Sequence, residues 1–339
     1  GKAYLSLSLQ SHTATSRAVD TKPGSSGESK AGTVKVLLFD EDDVCLDVVG
    51  FDGLTVGNSG GADAGGAGTP EAAVSEAKLV PEKTKKVFVV INPYADGNKG
   101  WNLTADAVKG KPWSVINTAI EAVIANIATD ENFMMASAGK GTGIEGALTK
   151  VTVHKPTAYT SEAIDQAKTD AQNSPTEISV DRLSAKVELA VKDIFTTKPD
   201  GATFTFGGWE LSVTNKSVKL YSELITYDNA TTGAVYRRDK NYLKSEQPDI
   251  SDNSTMETNM DAAFNYLKNI DSDTDPIPEI KRDKGTSCYC LENTMDANAQ
   301  QLGFTTKVVV KATYTPNGLT PNSSYFSWKG NYYTLDQLK

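Results

Sequence analysis

The sequence predicts an all-β protein with a few short helices, built as two antiparallel β-sandwich domains. Apolar and polar residues alternate in several segments, which is the pattern of strands that are buried on one face. These segments differ in length and are not separated by helices at regular intervals, so a parallel sheet is disfavoured. With 339 residues, the chain is long enough for two domains of ordinary size.

The first predicted strand covers about residues 3–10, "AYLSLSLQ". It alternates strictly between an apolar and a polar face. The residues of the apolar face are Ala3, Leu5, Leu7 and Leu9. We expect this face to complete the core of the first domain from the edge of a sheet. Residues 11–31 are polar, contain Arg17 and predict an exposed tether.

Further along the first half, "TVKVLLFDEDDVCLDVV" and "KKVFVVINP" predict strands, and "GNSGGADAGGAGTP" predicts a glycine-rich loop. Apolar residues at helical spacing predict a helix from Trp113 to Ala128. "SEAIDQAKTDAQ" predicts a second helix, capped by Ser161, and "EISVDRLSAKVELAV" predicts one long strand. Because this strand ends near residue 193, we expect one domain over residues 1–193 and a second over residues 194–339.

The second half is again rich in predicted strands, such as "ATFTFGGWELSVTNKSVKLYSELITY" and "FTTKVVVKATYTP".

The net charge of −9 and the absence of a basic stripe argue against nucleic acid as a partner. No apolar run reaches the roughly 18 residues of a membrane helix. The odd number of cysteines, Cys45, Cys288 and Cys290, predicts buried free thiols.

Two motifs are similar to catalytic or metal-binding loops but lack essential parts. "GNSGGAD" is similar to the loop around the nucleophile of trypsin-like proteases, with Ser59 as the nucleophile, yet neither His12 nor His154 lies in the context that such a base requires. "DSDTDP" at residues 271–276 begins like a calcium loop but has proline in place of the glycine of the turn. We therefore predict no enzyme activity, no cofactor and no metal site.

Six segments together resemble strand motifs of the fimbrillins of Bacteroidales, the subunits of type V pili. In the first half these are "KVFVVINPY", "NFMMAS" and "ISVDRLSAKVEL". In the second half "WELSVTNKSVKLY", "CYCLENTM" and "TTKVVVKATYTP" are similar to the minor-fimbrillin branch. The resemblance extends from Ala3 to about Leu338.

The resemblance implies two transthyretin-like sandwiches and a cell-surface fimbria as the location. It implies export through the outer membrane as a lipoprotein precursor, with the lipidated cysteine upstream of this chain. It also implies assembly with other pilin subunits after an Arg-specific protease removes the first strand, and the matching bond is Arg17–Ala18 in "TSRAVD". Members of this branch continue through further strands and a donor segment, so the second domain is expected to be incomplete at its end.

Three other interpretations remain open at this point. Arg17 is an ordinary solvated residue if the polar segment has no function. A surface adhesin would bind a host protein or glycan through the sandwich loops or an aromatic cluster, namely Tyr325, Phe326, Trp328, Tyr332 and Tyr333. A secreted hydrolase would need paired carboxylates or an activated nucleophile, which the sequence does not present.

Overall fold

A computed structural model of the chain describes residues 1–11, 27, 30–58, 72–96, 99–121, 124–129, 132–139, 146–190, 201–226, 235–237, 260–270, 278–294, 304–320, 324 and 326–338. Within these residues strands predominate and the helices are short, which confirms the predicted all-β class. None of the helices in this part of the chain has the length and apolarity to cross a membrane.

In chain order, the strands are β1 (Lys2–Leu5), β2 (Leu7–Ser11), β3 (Val34–Phe39), β4 (Cys45–Gly50), β5 (Val56–Asn58), β6 (Lys78–Pro81), β7 (Lys86–Ile91), β8 (Ala95–Asp96), β9 (Lys99–Gly100), β10 (Ile120–Glu121), β11 (Ala128–Thr129), β12 (Asn132–Phe133), β13 (Met135–Ser137), β14 (Thr149–Lys150), β15 (Thr176–Arg182), β16 (Ser184–Glu188), β17 (Thr203–Ser212), β18 (Thr214–Asn215), β19 (Ser217–Val218), β20 (Leu224–Thr226), β21 (Val235–Arg237), β22 (Phe264–Asn265), β23 (Ser287–Leu291), β24 (Lys307–Thr315), β25 (Phe326–Trp328) and β26 (Asn331–Tyr333). The helices are α1 (Ala105–Val108), α2 (Trp113–Ile116), α3 (Ile124–Ile127), α4 (Ser161–Asn173) and a 3₁₀ helix (Leu335–Gln337).

An eight-stranded sheet organises the first half of the chain. Its strand order is β4-β3-β7-β13-β15-β2-β5, and β14 also pairs with β7. The pairs of this sheet are antiparallel except at β2, which runs parallel to both β15 and β5. The sheet is therefore mixed, and the predicted antiparallel pairing does not hold at β2.

Both faces of this sheet are buried. On β3, Val34, Val36 and Leu38 belong to one core cluster, together with the apolar residues of β1 and β2. Leu37 and Phe39, which point to the opposite face, belong to a second cluster with residues of α1, α2 and α3. This alternation is expected for a strand that lies between two layers.

The predicted helix from Trp113 to Ala128 is wrong as a single element. It is interrupted after α2, and β10 pairs with β19 before α3 begins. The Asn117 side chain accepts a hydrogen bond from the Tyr221 N–H at 3.0 Å and donates one to the Tyr221 carbonyl oxygen at 2.9 Å. Such long-range bonds outweigh the weak intrinsic preference of a short helical segment.

Two other predicted elements are shifted or divided. The helix α4 is capped by Thr160, one residue before the predicted Ser161, and the Thr160 hydroxyl accepts a hydrogen bond from the Ala163 N–H at 3.3 Å. The predicted long strand is divided at Leu183, because β15 belongs to the eight-stranded sheet whereas β16 pairs with β23.

The second half is organised around the ribbon of β17 and β24, the longest antiparallel pair in the described residues. Trp209 and Leu211 of β17 pack with Cys290 of β23 in a separate core cluster. Val218, Leu220, Tyr221 and Leu291 instead pack into a cluster of the first half. The division of the chain near residue 193 stays a prediction.

Candidate functional site

The first eleven residues place a row of apolar side chains in the core. Leu5 is 1% exposed, and Ala3, Leu7 and Leu9 are 0% exposed. These side chains pack in one cluster with residues from β3, β6, β7 and β15. The predicted apolar face is thus buried as one row, although the backbone is divided at Ser6 into two strands of different sheets.

The first strand, β1, has neighbours on both sides. It pairs antiparallel with β6, from Lys2 opposite Pro81 to Leu5 opposite Lys78. On its other side the Tyr4 N–H donates to the His154 carbonyl oxygen at 2.8 Å, and the His154 N–H donates to the Tyr4 carbonyl oxygen at 2.8 Å.

The second strand, β2, also lies between two neighbours. It runs parallel to β15 over its whole length and parallel to β5 from Leu9 to Ser11. Leu7 is fixed further by Ser75, whose hydroxyl accepts from the Leu7 N–H at 2.9 Å and whose N–H donates to the Leu7 carbonyl oxygen at 2.9 Å. The prediction that this segment is a sheet edge is therefore wrong. A period of two identifies the buried face of a strand, but it does not specify the partners along its sides.

An ion pair lies beside the end of β1. The Lys155 ammonium contacts the Glu82 carboxylate at 2.5 Å. The hydrogen bond to Lys155 lowers the pKa of the Glu82 carboxyl group and raises the pKa of Lys155. Since both groups are exposed, the pair has little weight in holding β1, and the backbone bonds and buried side chains dominate.

Asn92 fixes the backbone of residues 30–33, which follow the segment that contains Arg17 in the sequence. Its side-chain oxygen accepts from the N–H groups of Gly32 at 2.9 Å and Thr33 at 3.1 Å. Its amide nitrogen donates to the carbonyl oxygens of Lys30 at 2.8 Å and Phe133 at 2.9 Å. The residue is 5% exposed and has a positive φ of 49°. Sequence reasoning missed this role, although an Asn-Pro pair after a buried strand is a turn signal that could have drawn attention to it.

Several predicted site residues lie outside the described residues. These are Arg17 and Ala18 of the predicted cleavage site, His12, Ser59 and the acidic segment 271–276. Cleavage at Arg17–Ala18 stays a prediction.

The three cysteines are free. Burial raises the pKa of Cys45 and of Cys290 from 9.0 to about 11 in each case. Cys288 is half-buried, its pKa is also raised by burial, and its Sγ lies 3.9 Å from Glu210 Oε1. The thiols are therefore protonated at neutral pH and are weak nucleophiles.

The aromatic cluster of the adhesin interpretation lies on a hairpin. Phe326 of β25 is opposite Tyr333 of β26, and Phe326 and Tyr332 are 46% and 41% exposed. The rings of Tyr314 and Tyr332 lie 5.9 Å apart in an edge-to-face arrangement, so the hairpin contacts β24. The side chains of Tyr325 and Trp328 are outside the described part of the structure.

No family model and no curated protein matches the sequence. The chain is similar to a solved structure of a candidate cell adhesion protein from Parabacteroides distasonis, with 14% identity, a TM-score of 0.43, and coverage of 93% of this chain and 76% of the other. A fimbrial assembly protein of the same species shows 13% identity, a TM-score of 0.37, and coverage of 95% and 85%. The tip fimbrial protein Mfa3 from Porphyromonas gingivalis shows 14% identity, a TM-score of 0.33, and coverage of 70% and 65%.

Fimbrial and cell adhesion proteins of Bacteroidales are thus among the solved structures to which this chain is similar, the same class that its sequence motifs resemble.

Proposed function

We propose that the chain is a structural subunit of a cell-surface fimbria. In this proposal an Arg-specific protease cleaves the Arg17–Ala18 bond, and an extended segment of another pilin subunit then replaces β1 and β2. The observation that carries the proposal is the burial of Ala3, Leu5, Leu7 and Leu9, each at most 1% exposed, just ahead of the segment that contains Arg17.

The hydrophobic stabilisation from the three buried leucines is comparable with the net stability of a whole domain. Three leucines at about 1.5 to 3 kcal/mol each contribute about 5 to 9 kcal/mol of hydrophobic stabilisation. The net stability of a domain is about 5 to 15 kcal/mol. A subunit that lost these side chains would therefore be unstable or would bind another apolar segment in their place.

The backbone of the vacated place would need a partner as well. Departure of β2 leaves unpaired N–H and C=O groups on β15 and on β5. Only an extended segment can satisfy both rows, as in recognition by strand addition. Because β2 lies between two strands and not at an edge, the incoming segment must insert between β15 and β5. The uncut chain is closed to exchange for the same reason, so assembly depends on cleavage.

Exchange of this kind produces a filament. The vacated place on one subunit receives a segment from the next, so the contact is heterologous and need not close into a ring. Other pilin subunits and the protease are the partners in this proposal, and the upstream lipid anchor provides the attachment to the membrane. Two transthyretin-like sandwiches, over residues 1–193 and 194–339, complete the proposal.

Digestion with an Arg-specific protease tests the proposal directly. We expect a new amino terminus at Ala18 and a ladder of high-mass species on gels of unboiled samples. The Arg17→Lys variant, which keeps the charge but removes the cleavage site, should yield no ladder. The donor segment is not assigned to this chain, so the digestion is repeated with a second pilin subunit added. A terminus at Ala18 without a ladder in either mixture contradicts the exchange.

A tip adhesin is the second candidate, and the exposed rings of Phe326 and Tyr332 favour it. Aromatic side chains that are partly exposed on a surface are common contacts for sugars and proteins. Binding of the intact chain to a glycan array or to host matrix proteins, lost in a Phe326→Ser/Tyr332→Ser variant, would support this function. Absence of binding in the intact chain would exclude this surface as a binding site for glycans or host proteins.

A further inference from the structure

The side chain of Arg282 is held by three hydrogen bonds to one carboxylate and a fourth to a backbone carbonyl. Its Nε donates to Glu210 Oε1 at 3.3 Å, and its Nη2 donates to Oε1 at 3.1 Å and to Oε2 at 3.4 Å. Its Nη1 donates to the Ser287 carbonyl oxygen at 3.3 Å. The guanidinium carbon lies 5.5 Å from the centre of the Trp209 ring. The guanidinium thus donates hydrogen bonds to Glu210 and Ser287 and also lies over the ring of Trp209.

The peptide bond that follows Arg282 is held by the same tryptophan. The Trp209 N–H donates to the Arg282 carbonyl oxygen at 3.0 Å, and the Trp209 indole N–H donates to the Asp283 carbonyl oxygen at 2.9 Å. Trp209 is itself 0% exposed. Gly208 has a φ of 133°, and a Cβ atom at this position would lie 2.7 Å from the Ile280 carbonyl oxygen. Glycine therefore permits the close approach of the 280–282 segment to β17.

An arginine-specific protease needs both of these groups. The arginine side chain must enter an acidic pocket, and the carbonyl oxygen of the bond to be cut must enter the oxyanion hole. Hydrolysis then adds water, breaks the C–N bond, and leaves a carboxylate on Arg282 and an amine on Asp283. In the folded chain Glu210 binds the side chain and Trp209 binds the carbonyl oxygen, so neither group is available to the protease.

We propose that Glu210 and Trp209 close the Arg282–Asp283 bond to arginine-specific proteases in the folded chain. Glu210 thereby excludes the bond after Arg282 from those that such a protease cleaves in the folded chain. The class of protease comes from the proposed function, whereas the closure of this bond rests on the contacts of Arg282 alone. A chain whose second half has not folded would be cut at this bond, so the closure distinguishes folded from misfolded subunits.

The test is digestion of the Arg17→Lys chain with an arginine-specific endoprotease. Mass spectrometry of the fragments measures the rate of cleavage at each remaining arginine. The variants are Glu210→Gln and, as a matched control, Glu279→Gln, whose partner is Lys281. We expect cleavage after Arg282 to be about tenfold faster in Glu210→Gln, because an opened state becomes more populated, and unchanged in Glu279→Gln.

A synthetic peptide of residues 278–288 supplies the rate for the unprotected bond. If the folded Arg17→Lys chain is cut after Arg282 as fast as this peptide, the proposal is overturned. An equal rate in folded Glu210→Gln and in its parent likewise overturns it. Circular dichroism shows whether Glu210→Gln is folded. If it is not, the comparison of the parent chain with the peptide decides. None of these rates depends on filament ladders, so failure of this proposal leaves the fimbrial function untouched.

Discussion

Tyr4 and His154 exchange two backbone hydrogen bonds, each with an N···O distance of 2.8 Å. This pair joins β1 to the segment that leads into α4, and the Lys168 ammonium of α4 lies 5.8 Å from the centre of the Tyr4 ring. The strand that is proposed to leave is thus part of the sheet hydrogen bonding and not an appended tail.

Hydrogen exchange at the His154 amide reports on this pairing. We expect slow exchange in the intact chain and exchange at least about 100-fold faster once the segment before Ala18 has been cleaved off and removed. The backbone N–H of Trp209, which donates to the Arg282 carbonyl oxygen at 3.0 Å and belongs to a separate core cluster, serves as the internal control. Unchanged exchange at His154 after removal of the segment would contradict the proposed release.

Replacement of Leu7 by aspartate in the uncut chain should lower the free energy of unfolding by at least about 3 kcal/mol, because an unpaired charge replaces a buried leucine. Leu7 is 0% exposed, whereas Leu79 on β6, the strand that pairs with β1, is 47% exposed. The Leu79→Asp variant should therefore differ from the wild type by no more than about 0.5 kcal/mol. Urea denaturation measures both, and an equal effect of the two substitutions would mean that Leu7 is not a core residue.

Replacement of Asn92 by alanine should lower the free energy of unfolding by about 2 to 4 kcal/mol, because buried backbone groups lose their partners. Asn92→Gly tolerates the positive φ and isolates the contribution of the hydrogen bonds. Asn102→Ala, at an exposed asparagine, is the control. Thermal and urea unfolding would contradict the role of Asn92 if the alanine variant were as stable as this control.

The buried thiols predict a loss of stability at alkaline pH. The folded-state pKa of Cys45 and of Cys290 is raised from 9.0 to about 11, so the folded state retains protons that the unfolded state releases. The contribution of these thiols to the free energy of unfolding is complete below pH 9 and is lost as the pH rises through about 11. Between pH 8 and pH 10.5 the free energy of unfolding should decrease more in the wild type than in the Cys45→Ala/Cys290→Ala double variant. Equal decreases in the two proteins would contradict the raised pKa values of these thiols.

The sequence by itself determined which side chains are buried in several elements. The period of two in "AYLSLSLQ" identified the apolar row that includes Leu5 and Leu7, and the apolar runs in "TVKVLLFDEDDVCLDVV" and "KKVFVVINP" identified strands β3 and β7. The helical segment α4 was also recognisable, with its cap displaced by one residue. These features are local, because periodicity reports the face that a segment turns toward an apolar layer.

Only the tertiary structure decided which segments are partners. It placed β2 parallel to β15 and β5, interrupted the predicted helix at Asn117, and brought Glu210 and Trp209 to Arg282. Each of these relationships joins residues that are far apart in the chain, and the energies of such contacts exceed the differences in local propensity. A single sequence encodes the buried face of a strand, but the side-by-side order of strands depends on how all the faces are packed at once.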